Sequence, residues 1–177
     1  MIIFAYILLA LVVILAVFAV YVSQRPDDFR ISRSLSIAAP ASVPFAQVND
    51  LHKWQAWSPW EGIDADLKRI YEGPSAGVGA KYGWGGKKTG AGKMTIAQSQ
   101  EPTSVRLDLD FLKPFKASNV VEFTFQPQGR DTLVSWTMTG KDTFVTKIFC
   151  LLCNRDKMCG DMFVEGLTKL KGVCESA

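Results

Sequence analysis

Twenty-four residues pass before the first charged side chain, Arg25, and residues 1–22 are all apolar or aromatic. A run like this can fold in few ways. At 1.5 Å rise, about 20 apolar residues cross a hydrocarbon core roughly 30 Å thick, so residues 1–24 are expected to form a membrane-spanning anchor. Tyr6 and Tyr21 stand near its ends, where amphipathic rings favour the headgroup layer. The alternatives are a cleaved signal peptide and a buried core helix. A signal peptide wants a basic start and a small-x-small cleavage site. Here no Lys or Arg precedes the run and no Ala-x-Ala follows it. A retained anchor, touching lipid through residues 1–22, is the expectation.

All 20 basic and all 17 acidic residues fall in residues 25–177, about a quarter of that stretch, as in an ordinary globular domain. Residues 25–28 read as a connector and 29–177 as one domain, large enough for a single core with room for a pocket. A net charge of +3 is too small to imply a nucleic-acid partner. Arg25, Arg30 and Arg33 follow the span, and the positive-inside rule then places the domain on the cytoplasmic side. The four cysteines, Cys150, Cys153, Cys159 and Cys174, fall in a segment that reads as helix, where neighbours do not offer good disulfide geometry. Cys150 and Cys153 alone cannot make a four-ligand zinc site, and the one histidine, His52, is far away in the chain. They read as small buried hydrophobes. No metal or cofactor is implied.

Along the domain, a strand is expected over residues 29–38, with Ile31, Leu35 and Ile37 on one face. Ser42 is a plausible N-cap for a short helix through Val48. The stretch 52–60 holds Trp54, Trp57 and Trp60 and is expected to form a second short helix ending at Pro59. Strands separated by Gly, Pro and charged turns follow: 67–72, 80–85 and 93–98, with a hairpin tip at 85–90. The clearest alternation comes next. Val105, Leu107, Leu109 and Phe111 oppose Arg106, Asp108 and Asp110; Val121, Phe123 and Phe125 repeat the pattern, as do Val134, Trp136 and Met138. One greasy face and one polar face describe an antiparallel sheet covered on one side. From 143 to 173 the apolar spacing turns to three and four, and the pattern predicts one long amphipathic helix. Gly160 and Gly166 within it weaken the helix or let it approach the sheet closely. The fold class is therefore α+β, with the sheet curling around the C-terminal helix.

That layout, together with Trp54-Gln-Ala-Trp-Ser-Pro-Trp60, Tyr71-Glu-Gly-Pro74 with Gly77-Val-Gly-Ala80, Phe111-Leu-Lys-Pro-Phe115 and Lys157-Met-Cys-Gly-Asp-Met-Phe-Val-Glu-Gly-Leu167, resembles the START-like (SRPBCC) superfamily, in particular its polyketide cyclase/dehydrase and lipid-transport branch. The likeness spans about residues 29–174. It implies a helix-grip fold, a curved antiparallel sheet gripping a long C-terminal helix around a hydrophobic cavity. It implies little about activity, because one fold hosts many functions.

Signals for catalysis are thin. Gly77-Val-Gly79-Ala-Lys-Tyr-Gly83 is one residue too long for a dinucleotide loop, and Gly92-Lys93 lacks the rest of a phosphate loop. His52, expected near the cavity rim, Tyr82 and Asp64 are the weak candidates for acid–base work. No catalytic residue is assigned. The store of large apolar side chains points elsewhere. Tyr82, Trp84, Phe111, Phe123, Phe125, Trp136 and Met138 on the sheet, with Phe144, Met158 and Met162 on the helix and Tyr71 at the side, are expected to line a ligand cavity. Tyr71, Tyr82, Trp84 and Thr137 would orient the ligand. The leading expectation is a membrane-tethered, non-catalytic binding protein for a lipid or other small hydrophobic molecule. The alternatives are a polyketide cyclase/dehydratase-like enzyme, and a fully packed scaffold whose exposed Trp54/Trp57/Trp60 cluster and Lys87-Lys88 hairpin contact a partner.

Overall fold

In the computed structural model, which describes residues 2–176 except for the side chains of Ile2 and Leu152, the alternating segments form one seven-stranded antiparallel sheet. Its strands are β1 (Asp28–Ile37), β2 (Lys68–Glu72), β3 (Lys81–Gly86), β4 (Gly90–Gln100), β5 (Ser104–Lys113), β6 (Ala117–Gln128) and β7 (Asp131–Lys141). They lie in the order β1-β7-β6-β5-β4-β3-β2. The first strand thus pairs with the last, and β1 and β2 form the two edges. Register shifts in β4, at Ala91/Gly92 and Ile96/Gln98, interrupt its pairing with β5; such bulges bend a strand and sharpen the sheet's twist.

The antiparallel register puts one set of strand ends together. Asp28 pairs with Lys141, Asn119 with Gly140, Phe111 with Ala117, Ala91 with Lys113, and Gly86 with Gly90. Helix α1 (Ile2–Ser23) runs into β1 at this same end, the anchor end if residues 1–24 are the anchor expected from the sequence. At 22 residues α1 is about 33 Å long, long and apolar enough to cross a membrane. Nearly all its side chains are exposed, but Val22 in the last turn is fully buried.

Between β1 and β2 the chain makes helix α2 (Ser42–Asn49) and a single 3-10 turn (Lys53–Ala56). Ser42 is the first helical residue rather than the cap, because Ala41 already has helical backbone and no side chain caps the helix. Trp54 and Trp57 are buried, not displayed as a surface cluster. Their indole N–H groups donate to the carbonyls of Val48 (2.8 Å) and Gln47 (3.3 Å) on α2, and their rings pack edge-on against Phe123 and Trp136. Burial of the ring with a satisfied N–H is the stable state for tryptophan. Only Trp60 of the three reaches the surface.

The C-terminal segment is two helices, not one: α3 (Phe144–Leu152) and α4 (Arg155–Glu175). Cys153 and Asn154 take non-helical backbone between them. Thr143 begins α3 with a reciprocal capping box to Thr146, and the Asn154 side chain accepts from the Lys157 N–H at 2.9 Å to begin α4. Arg155 holds the break in place: its guanidinium donates to Asp142 at 2.8 Å and lies 3.7 Å over the Phe29 ring. Periodicity alone does not reveal such a break, since both halves are apolar at helical spacing.

Helix α4 covers the sheet. Phe163, Leu167, Leu170 and Cys174 are buried on its inner face, each large side chain contributing about 1.5–3 kcal/mol. Gly166 is needed for this approach, because a Cβ there would sit 2.7 Å from Trp136 and 2.9 Å from Pro59.

Candidate functional site

The two layers do not close completely. Toward the anchor end a cavity of about 280 Å³ remains between the sheet, the tryptophan-bearing segment and α4. Its sheet wall is set by strand alternation: Tyr82 and Trp84 on β3, Phe111 on β5, Trp136 and Met138 on β7. These five were expected there. Met94, Leu109 and Val121 share their face and join the wall; the same period-two argument would have found them. Trp54 and Trp60 close one side. From α4 the lining residues are Cys159 and Phe163, one helical turn apart.

The remaining expected residues are placed elsewhere. Phe123 and Phe125 are buried beyond the cavity, Phe123 against Trp54, Trp57 and Trp136, and Phe125 against Phe45. Tyr71 flanks Tyr82 at 5.2 Å and stacks on His52 at 4.1 Å, outside the lining. Phe144 belongs to α3 and is exposed; Met158 is exposed, and Met162 is half-buried outside the lining. Helical phase explains the methionines. At about 100° per residue, neither Met158 nor Met162 shares the direction of Cys159 and Phe163. Thr137 turns to the opposite sheet face, where it hydrogen-bonds Ser32 at 2.8 Å.

The polar groups of the wall are few. Tyr82 donates to Glu61 at 2.9 Å, and Arg69 pairs with the other oxygen of Glu61 at 2.6 Å. Burial, reinforced by the hydrogen bond and charge of Glu61, pushes the Tyr82 phenol well above its ordinary range, so it stays protonated and donating. Glu61 was missed from the sequence; it lies just after the tryptophan segment, in a loop without periodicity. Ser58 and Thr89 complete the polar part. Among the described residues, two buried side-chain polar atoms have no hydrogen-bond partner within the protein, the Trp136 Nε1 and the Thr89 Oγ1, and both residues line this cavity. Leaving such a group unpaired costs about 1–3 kcal/mol.

The weak acid–base candidates do not assemble. His52 lies against Tyr71 and Asp50, exposed and outside the cavity lining. Asp64 is buried, but its carboxylate accepts the backbone N–H groups of Lys88 (2.7 Å) and Thr89 (3.4 Å) in the β3–β4 turn. The Lys88 N–H above all holds its pKa below the usual carboxylate value. Asp64 thus fastens a hairpin. The Cys159 thiol is pushed up by burial, away from the thiolate that a nucleophile requires. Among the described residues no group of three His, Cys, Asp or Glu side chains could hold a metal ion.

No family model matches the sequence, and no curated protein does. Solved structures match over most of the chain. Protein CV1439 from Chromobacterium violaceum aligns with a TM-score of 0.60 and 15% identity, covering 85% of this chain and 99% of that one. Protein MLL2253 from Mesorhizobium loti gives 0.63 and 12%, covering 84% and 98%. The di-domain ARO/CYC StfQ from the steffimycin biosynthetic pathway gives 0.65 and 9%, covering 87% of this chain and 53% of its own. The chain has a helix-grip fold. At these identities the likeness is one of architecture, and the function rests on the site itself.

Proposed function

We propose that this protein is a membrane-tethered, non-catalytic binding protein that holds a small hydrophobic molecule, or the hydrophobic part of a lipid, between its sheet and α4. The observation that carries this reading is the wall of the cavity: mostly aromatic and aliphatic, with two buried polar groups, on Trp136 and Thr89, left without a protein partner. A ligand site has this composition, apolar surface for affinity and a few polar groups for orientation. The Trp136 N–H has essentially no accessible surface, so a ligand's hydrogen-bond acceptor would satisfy it only where the wall shifts to uncover it.

Volume limits the ligand. An apolar cavity of about 150 Å³ takes one benzene, so 280 Å³ suits two fused rings or a short acyl segment. A complete two-chain lipid requires the walls to part. The helix α1 supports the tether, and a tethered pocket meets membrane-dissolved ligand at high effective concentration. Arg25, Arg30 and Arg33 support a cytoplasmic position for the domain. An enzyme of the cyclase type would need a free acid or base in the cavity, whereas Glu61 is engaged by both Tyr82 and Arg69.

The test is native mass spectrometry of the full chain, purified in mild detergent from cells that make it. A co-purifying apolar compound, released on denaturation, is the expected result. A clean apo mass, with no uptake from an offered total lipid extract, would overturn the reading.

A further inference from the structure

Helix α3 is built inside out. Its one cation, Lys147, has only 7% of its side chain exposed, while Val145 and Phe149 are 59% and 52% exposed and Phe144 stands beside them in solvent. At about 100° per residue, positions 144, 145, 148 and 149 share an arc of about 140° that points away from Lys147. A helix facing water would be turned the other way.

What covers this face is indicated by its neighbours. Lys147 pairs with Asp27 at 2.5 Å and donates to the Arg25 carbonyl at 2.5 Å, so α3 is fastened to the segment that leaves α1. The two helices also touch. Only Gln24 to Asp27 separate α1 from β1, and a connector of that length reaches at most ~14 Å. The anchor end of the sheet therefore cannot move far from the end of α1. The same end carries further apolar and basic side chains. The end of β5 exposes Leu112, the β5–β6 turn exposes Phe115 between Lys113 and Lys116, and the β3–β4 turn exposes Lys87 and Lys88. Four cavity-lining residues, Trp84, Thr89, Phe111 and Met138, lie toward this end as well.

We infer that α3 and the β5–β6 turn rest in the interfacial layer of the bilayer that α1 spans, seating the anchor end of the cavity on the lipid. The inference rests on α1 being a retained membrane span. Apolar side chains enter the boundary between headgroups and acyl chains while flanking lysines meet the headgroups, as in other interfacial elements. A membrane-dissolved ligand then passes between bilayer and cavity without crossing water.

The test uses the full chain in nanodiscs of phosphatidylcholine and phosphatidylglycerol. A photoreactive p-benzoylphenylalanine replaces Val145, Phe149 or Phe115 in turn, and Val78 as the control. Val78 is also 59% exposed but lies in the β2–β3 loop, at the opposite end of the sheet. Lipid adducts at the first three positions are expected to exceed those at Val78 by at least about tenfold. Alkaline carbonate extraction of the same protein from membranes reports on α1 separately. Protein that resists extraction yet gives lipid adducts no better than the control overturns the inference alone. Cross-links from α3 to a second copy or another protein overturn it too, replacing the bilayer by a protein partner. Protein released by carbonate overturns both the anchor and what rests on it.

Discussion

Val121 is the position at which the cavity can be tested most directly. It is buried on β6, lines the cavity, and lies opposite Leu107 and Met138 in the neighbouring strands. Val121→Phe adds four carbons, roughly 50 Å³, to a space of about 280 Å³. At about 24 cal/mol per Å³ of cavity removed, filling that share stabilises the protein by about 1.2 kcal/mol. For a chain of this size, that raises the midpoint of thermal unfolding by about 2–5 °C. The assay is thermal unfolding of delipidated full-length protein in mild detergent, with ligand uptake from a lipid extract followed in parallel. The expected variant is more stable and takes up less ligand, the usual trade between a binding site and a filled core. A lower unfolding temperature with uptake unchanged would refute the reasoning. It would mean that the phenyl ring meets a packed core, where overpacking costs about 1–3 kcal/mol, and that the ligand binds elsewhere.

Further outcomes follow from single contacts. Tyr82→Phe deletes the 2.9 Å hydrogen bond to the Glu61 carboxylate and is expected to cost about 1.5 kcal/mol in denaturant unfolding, whereas Tyr71→Phe, losing an exposed bond to Gln55, costs under about 0.5 kcal/mol; equal losses would dissolve the distinction. Asp64 has a folded-state pKa below its ordinary value, held there by the backbone N–H of Lys88 and then of Thr89. Its contribution is therefore present above about pH 4 and fades as pH falls through the lowered folded value. Asp64→Asn should be less stable than wild type at neutral pH, with the gap closing in strong acid, and a gap independent of pH would contradict this. Gly166→Ala places a methyl group 2.7 Å from Trp136 and 2.9 Å from Pro59 and is expected to destabilise by about 1–3 kcal/mol. Gly172→Ala, on the same helix with nothing within 4 Å of the new Cβ, is expected to stabilise by up to about 1 kcal/mol. Calorimetry of both variants checks the contrast.

The strands were legible because alternation of Val105, Leu107 and Leu109 with Arg106 and Asp108 is a local property of an extended chain with one wet face. That same parity placed Trp84, Phe111, Trp136 and Met138 on the wall of the cavity. Parity stops there. It assigns a side chain to a face, not to the hollow or the filled part of that face, and so Phe123 and Phe125 were expected beside the ligand but lie in the packed core. Helical spacing has the corresponding limit. It could not separate α3 from α4, since the break is made by Asn154 and by Arg155 reaching Asp142 and Phe29 from other elements. The break separates Phe144, on α3, from the covering helix, whereas Met158 and Met162 lie on α4 itself, out of phase with Cys159 and Phe163.

By itself, then, the sequence determined what depends on neighbours along the chain: an apolar helix long enough for a membrane, an antiparallel sheet with one apolar face, and an amphipathic C-terminal cover. Only the tertiary structure decided what depends on groups far apart in the chain. It buried Trp54 and Trp57, tied Glu61 to Tyr82 and Arg69, left Trp136 Nε1 without a partner, and turned Lys147 inward against Asp27. The physical reason is common to all of these. Periodicity fixes the direction of a side chain relative to its own backbone, whereas a cavity, an ion pair or an unpaired donor exists only in the space between elements.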